Sequence, residues 1–247
     1  MPEPLVVVSH VSRQFSAGPT AINALVDVSC TVEPNARIAI VGPSGSGKST
    51  LLHLLGNLDR PTSGTIAWPG LGPPDSLRPA RIVNIFQGPS LIPALSVLEN
   101  VLLQLLLSDA PESDAQVDAD RALALFETDH LRDKLPEELS GGQAQRVSIA
   151  RAIAVRPWLI LADEPTGQLD SATAGRVLDH LLESADELGA ALVVSTHDQR
   201  VAQHLSTIWS MESGTLMTPQ TPAEARPLAC EGDRRSSLQP NREYTRL

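Results

Sequence analysis

Three observations predict an α/β protein with a helical lobe inserted in it. The segments "RIAIV" (37–41), "WLILAD" (158–163) and "AALVVST" (190–196) are apolar without alternation, as expected of parallel strands buried on both faces. A glycine-rich loop, "GPSGSGKS" (42–49), joins the first of them to Leu51, Leu52, Leu54, Leu55 and Leu58 at helical spacing. Between residues 88 and 156 strand signals vanish, and Leu, Ala and charged residues recur with a helical period.

In chain order, "LVVVSHV" (5–11) and "LVDVSCTV" (25–32) read as strands, punctuated by Gly18, Pro19, Pro34 and Asn35. After the first helix, "RPTSG" (60–64) is a turn, "GTIAW" a short strand, "GLGPPDSLRP" (70–79) a loop and "RIVNIF" (81–86) a strand. Beyond the helical lobe, a helix is expected near 171–188, a short one near 198–205, and a last strand at "TIWSM" (207–211). These elements make one folded unit over 1–217, with the helical lobe at about 88–156. Residues 218–247 hold four prolines and five arginines with almost no apolar periodicity, which predicts a loosely ordered tail. A regulatory or partner-docking segment is the alternative.

Composition narrows the function classes. The chain has 247 residues, 42% of them hydrophobic, enough for a sizeable core. A net charge of −10 argues against a general nucleic-acid binder, which needs surplus Lys and Arg on one face. Cys30 and Cys230 lie far apart and fit reduced thiols better than a disulfide or a zinc site. The N-terminus has no basic flank, so no signal peptide is read. The most apolar stretch, "VLENVLLQLLL" (97–107), is broken by Glu99, Asn100 and Gln104 and is about half a membrane span. The chain is expected to be soluble, with any spanning left to another protein.

"GPSGSGKS" fits the phosphate-loop pattern G-x-x-x-x-G-K-[ST], after a strand and opening a helix. Gly42, Gly45 and Gly47 permit turns that aim backbone N–H groups inward, so that Gly42, Pro43, Ser44, Gly45, Ser46 and Gly47 form a nest for phosphate oxygens. Lys48 can reach the β- and γ-phosphates, the Ser49 hydroxyl can ligate Mg²⁺, and Thr50 adds a donor. At the carboxyl end of a buried strand, Asp163 and Glu164 should face that loop. Asp163 would serve Mg²⁺ with Ser49, and Glu164 would orient or deprotonate the attacking water. His197 ends another apolar strand, where it either bonds the γ-phosphate and the water or is a surface residue. Gln87 ends "IVNIF" and is either a carbonyl ligand to Mg²⁺ or an exposed amide. A second glycine-rich helix start, "LSGGQAQRV" (139–147), presents Ser140, Gly141, Gly142 and Gln143, with Val147, Ile149 and Ile153 placed to anchor the helix.

The ordered set "GPSGSGKST", "FQ" (86–87), "LSGGQ" (139–143), "LADEPTGQLD" (161–170) and "STH" (195–197) resembles the ATP-binding subunits of ABC transporters, to about residue 217. "LLHLLGNLDRPTSG" (51–64) and "LADEPTGQLD" look most like one branch, which includes lipoprotein-releasing, macrolide-exporter and cell-division ATPases. The resemblance implies a P-loop ATPase lobe with a mixed, largely parallel core sheet, an N-terminal antiparallel β part and the inserted helical lobe. It implies ATP and Mg²⁺ as ligands, with Ser49, Gln87 and Asp163 serving the metal, Glu164 as catalytic carboxylate and His197 as switch histidine. It further implies a head-to-tail dimer, in which Ser140, Gly141, Gly142 and Gln143 close over ATP held by the other subunit and Asp170 communicates across the interface. Phe15 stands for the family's adenine-stacking aromatic, commonly Tyr; a core aromatic is the alternative. Gln168 replaces the branch's more frequent Asn, and the stretch from Gly64 to Gln87 is shorter than usual.

The function so implied is an ATPase subunit, held peripherally at the cytoplasmic face of the membrane and driving a transmembrane permease, which can carry an extracytoplasmic domain. Signalling through a membrane partner, as in cell division, shares the same motifs. Repair-type members carry long coiled coils and translation-type members two such domains, neither of which is present here. A P-loop kinase would leave "LSGGQ" and His197 without purpose.

Overall fold

The computed structural model describes residues 2–17, 20–108 and 111–217; the expectation for the tail 218–247 lies outside them. Two strands, β1 (Val6–Ala17) and β2 (Thr20–Val32), form an antiparallel hairpin. A third, β4 (Ser63–Ala67), pairs with the other edge of β1, giving the order β2-β1-β4. The hairpin is longer than its apolar runs imply. Residues 12–16 and 21–24 are mostly exposed, yet they pair, with Gln14 Nε2 donating to Asn23 Oδ1 at 3.0 Å and Phe15 opposite Ile22. Register shifts between Val8 and Gln14 bend the ribbon, and His10 and Asp27 take positive φ of 51° and 50° on facing strands. Cys30 lies half-buried in β2, and burial pushes its thiol up to about 12.

The central sheet runs β5 (Ile82–Ile85), β6 (Leu159–Asp163), β7 (Ala191–Thr196), β3 (Arg37–Val41), β8 (Thr207–Glu212), β9 (Thr215–Leu216). All pairs are parallel except β8–β9. Side-chain alternation sorts the apolar runs into two cores. Ile38, Ile40, Leu159, Leu161, Ala191 and Val193 face one side, with α1 (Lys48–Leu55) and the antiparallel sheet. Ala39, Val41, Ile160, Ala162, Leu192 and Val194 face the other, with the remaining helices. That division explains why no polar alternation marks these strands.

Between β5 and β6 the described residues form α2 (Val97–Leu107), α3 (Glu112–Leu125) and α4 (Gly141–Ala154), which pack on one another. Ser96 and Glu99 start α2 with a reciprocal capping box. Asn100, one of the polar breaks in the apolar run, is 1% exposed. Its side chain accepts from Ile92 N and donates to the carbonyls of Ile92, Leu95 and Ser96, so it holds the segment leading from Gln87 into the helices. A satisfied buried amide of this kind specifies one loop geometry. After β6, α5 (Ser171–Leu188) runs from an Asp170 cap to Gly189 at φ 62°, and α6 (Gln199–Gln203) from an Asp198 cap. No described helix is long and apolar enough to cross a membrane.

Candidate functional site

Parallel strand order gathers the site at one edge of the sheet. The carboxyl ends of β5, β6, β7 and β3 lie side by side and carry, respectively, Gln87, Asp163 with Glu164, Ser195 with His197, and the glycine loop. In open α/β sheets that edge is where ligands bind.

The glycine loop leaves β3 and enters α1 without a side-chain cap, so the first helical N–H groups remain free for a ligand. Two glycines are required here by contact as well as by φ. A Cβ on Gly47 (φ 101°) would lie 2.4 Å from the Ala24 carbonyl, and one on Gly42 would lie 2.3 Å from the Met211 carbonyl. The loop is thereby wedged between β2 and the β8–β9 turn, where Gly214 N donates to the Ser46 carbonyl at 3.1 Å. Lys48 is buried, and its ammonium donates to the Gly42 and Pro43 carbonyls at 2.9 and 3.0 Å. Among the described residues, Ser46 Oγ is buried without a hydrogen-bond partner. A buried cation and an unsatisfied hydroxyl in a loop of inward N–H groups make a receptor for anionic oxygen.

Beside the loop, Ser195 Oγ donates to Asp163 Oδ1, fixing that carboxylate at the end of β6. Glu164 follows in a positive-φ conformation (44°), held by bonds from its N–H to the Ser195 carbonyl and hydroxyl at 3.1 and 3.3 Å. The turn places the Glu164 carboxylate between two partners: Gln87 Nε2 donates to Oε2 at 3.2 Å, and His197 Nδ1 lies 3.2 Å from Oε1. Its side chain is 20% exposed. The group can hold and accept a proton, with an amide and an imidazole orienting it. Gln87 and His197 are exposed but both engaged, and Asp198, not His197, caps α6.

The second glycine start lies elsewhere on the surface. Ser140 caps α4, accepting from Gln143 N at 3.2 Å, while Ser140 N donates to Gln143 Oε1 at 2.9 Å. Among the described residues no hydrogen bond joins 139–143 to 42–50. Val147, Ile149 and Ile153 are buried and anchor the helix. A Cβ on Gly142 would lie 3.1 Å from Leu169 Cδ2, and one on Gly141 3.4 Å from Gln168 Oε1, so α4 begins against the segment leading to Asp170. The Asp170 carboxylate accepts from Ala172 N and Thr173 N at 3.1 Å each, and the Thr173 side chain first, with these backbone bonds, holds it below the usual carboxylate range. Phe15 is no core residue: it is 40% exposed on β1.

Sequence reasoning missed three supports. Ser195 positions Asp163; its signal was a fully buried polar residue inside the quoted "STH". Gln145 and Arg151 extend from α4 to the segment around Gln87, donating to the Phe86 carbonyl at 3.0 Å and to Ser90 at 2.9 and 2.7 Å. Nothing in their spacing marks that contact.

Comparison with known proteins agrees with this geometry. A profile of the ABC transporter family matches residues 25–167. The lipoprotein-releasing system ATP-binding protein LolD of Legionella pneumophila (strain Paris) is 41% identical over 214 residues, which is 83% of this chain and 93% of that protein. LolD of Shewanella oneidensis is 40% identical over 228 residues, 90% and 99% of the two chains. Among solved structures, dimeric MJ0796, a bacterial ABC transporter cassette, matches with TM-score 0.82 at 35% identity, covering 88% of this chain and 98% of that one. The same cassette in a post-hydrolysis dimer bound to ADP and Pi matches with TM-score 0.81 at 35% identity, over the same shares of the two chains. By motif order, strand order and these likenesses, the chain belongs to the ABC transporter family as an ATP-binding cassette, an enzyme that hydrolyses ATP.

Proposed function

We propose that the chain is the peripheral ATPase subunit of a lipoprotein-releasing type of membrane complex, working as a head-to-tail homodimer. One observation carries the chemical part: a carboxylate held between Gln87 and His197, at the strand ends that flank the phosphate loop. In this reading residues 42–47 with Lys48, Ser49 and Thr50 bind the phosphates, Phe15 stacks on adenine, Glu164 takes a proton from the attacking water and His197 orients the pair. Asp170 and residues 140–143 act across the dimer. Residues 88–156 move as a lobe that passes the ATP-driven closure to a transmembrane permease, itself expected to carry an extracytoplasmic domain.

Mg²⁺ fits the donor set. Hydroxyl, carboxylate and amide oxygens from Ser49, Asp163 and Gln87 suit a hard cation that uses few carboxylates and completes its shell with phosphate and water. Bound there, the ion would neutralise charge on the phosphate oxygens.

Two measurements test the proposal. Lys48→Ala removes the buried cation and leaves the Gly42 and Pro43 carbonyls without their donor, so equilibrium ATP affinity is expected to fall at least tenfold, the equivalent of about 1.4 kcal/mol. Unchanged affinity would reject the phosphate-loop assignment. For the membrane part, affinity purification of the chain from detergent-solubilised membranes is expected to recover one multi-spanning protein. Recovery only from the soluble fraction, with no spanning partner, would remove the transporter reading while leaving the ATPase intact.

A further inference from the structure

The exposed ring of Phe15 is not held by its own strand alone. Arg13 Cζ stands 4.4 Å from the ring centroid, so a guanidinium covers one face of a ring whose residue is still 40% exposed. Arg13 is in turn locked by a two-pronged pair with Asp59, Nε to Oδ2 at 2.8 Å and Nη2 to Oδ1 at 2.9 Å, both side chains being 24% exposed. Such a fork fixes the guanidinium plane, which a single contact would not. Asp59 is fixed as well, because Oδ1 accepts from Arg60 N at 2.7 Å. Burial alone would raise the Asp59 carboxyl, but the bonds from Arg13 and Arg60, with the Arg13 charge, outweigh it and hold the group below the usual carboxylate range. Asp59 belongs to the turn that leaves α1, the helix that begins at the phosphate loop. Two further bonds tie the same hairpin stretch to that turn: Thr62 N to the Ser12 carbonyl at 2.8 Å and Gln14 N to Thr62 Oγ1 at 3.0 Å.

We infer that Arg13, clamped by Asp59, is a positioning residue for nucleotide binding: it backs one face of Phe15 and presents the other to the adenine base, at a set distance from the phosphate loop. The inference rests on the reading of Phe15 as the base platform. Phenylalanine lacks a hydroxyl with which to anchor its own ring. On this exposed end of the hairpin the ring would otherwise sample rotamers, and ordering it on binding costs affinity. The guanidinium supplies that order in advance, and the Asp59 fork transmits the position of α1 to it.

The test compares two ligands, ATP and inorganic tripolyphosphate, on the full chain and four variants. Phe15→Ala is expected to weaken ATP at least fivefold, the scale of one base–aromatic stack, and to leave tripolyphosphate affinity unchanged. Arg13→Met and Asp59→Asn are each expected to weaken ATP about twofold to fivefold, the scale of an exposed cation–π contact. KM for ATP should rise by the same factor with kcat kept, and tripolyphosphate affinity should stay. Arg13→Lys, which keeps charge but loses the planar fork, should fall between wild type and Arg13→Met. If Phe15→Ala loses ATP affinity while Arg13→Met does not, the positioning role is overturned and the platform stands. If Phe15→Ala binds ATP normally, the platform fails and the inference with it. Equal loss of ATP and tripolyphosphate affinity in Arg13→Met would mean a purely structural part for the ion pair, which also overturns it.

Discussion

Glu164→Gln is expected to slow steady-state ATP hydrolysis by about 10²–10⁴-fold, the usual span for removing a general acid–base group, with ATP affinity retained. The substitution is nearly isosteric, and the amide oxygen can still accept from Gln87 Nε2, now 3.2 Å from Oε2. The amide nitrogen can donate to a neutral His197, whose Nδ1 lies 3.2 Å from Oε1. Glutamine carries no extra strain at φ 44°, since glutamate already bears it. What disappears is the proton acceptor. Phosphate release under excess ATP measures the rate, and equilibrium titration measures affinity. A variant that hydrolyses at the wild-type rate would move the base elsewhere, with His197 the next group to test. A variant that loses both rate and affinity would show that the carboxylate holds the site together and does not act in the chemistry.

Most of this arrangement was legible because its parts are local. The phosphate loop needs glycine at 42 and 47, where a Cβ would strike Met211 or Ala24, and at 45, where φ is 77°, and such positions advertise themselves in the sequence. The helix 171–188 is bounded by its own cap and its own glycine, Asp170 and Gly189. Likewise Asp163, Glu164 and His197 stand at the ends of apolar runs, and strand direction alone sends them to one edge. The supports were not legible because they join distant parts of the chain. Arg13 meets Asp59 46 residues on, Ser195 meets Asp163 across 32, and Arg151 reaches Ser90 across 61. No spacing rule pairs such residues; sheet order joins Ser195 to Asp163, and the packing of the hairpin, turns and α4 joins the others. The hairpin arms were missed for another reason. Residues 12–16 and 21–24 carry mostly exposed side chains without regular alternation, and they pair as the continuation of the ribbon begun by buried Val6, Val8 and Val11 opposite Val28 and Val32, through register shifts between Val8 and Gln14.

Ser140→Arg is expected to abolish ATP-driven pairing of subunits while leaving ATP affinity of the isolated subunit within about twofold, a shift of only about 0.4 kcal/mol. Ser140 is exposed, caps α4 and makes no hydrogen bond to its own phosphate loop. A helix start of this kind carries roughly half a positive charge, and Gly141 and Gly142 leave it low enough for close approach. In the proposed dimer, the ligand it would meet is phosphate held by another copy. Pairing is best read in the Glu164→Gln background, where slow hydrolysis lets ATP-bound dimers persist, by sedimentation with and without ATP. Arginine also removes the cap, at a cost of about 0.5–2 kcal/mol, so loss of pairing alone would not separate a bulky side chain from a frayed helix. Ser140→Asp makes that separation. Aspartate caps a helix as well as serine does, so α4 should stay formed, yet its charge opposes an incoming phosphate. Both variants should therefore stay monomeric with ATP, the aspartate form with unchanged thermal stability. If Ser140→Asp pairs like its parent, the charge of the partner-bound phosphate is not what this helix start reads. If Ser140→Arg pairs too, the second glycine start has no role across the interface.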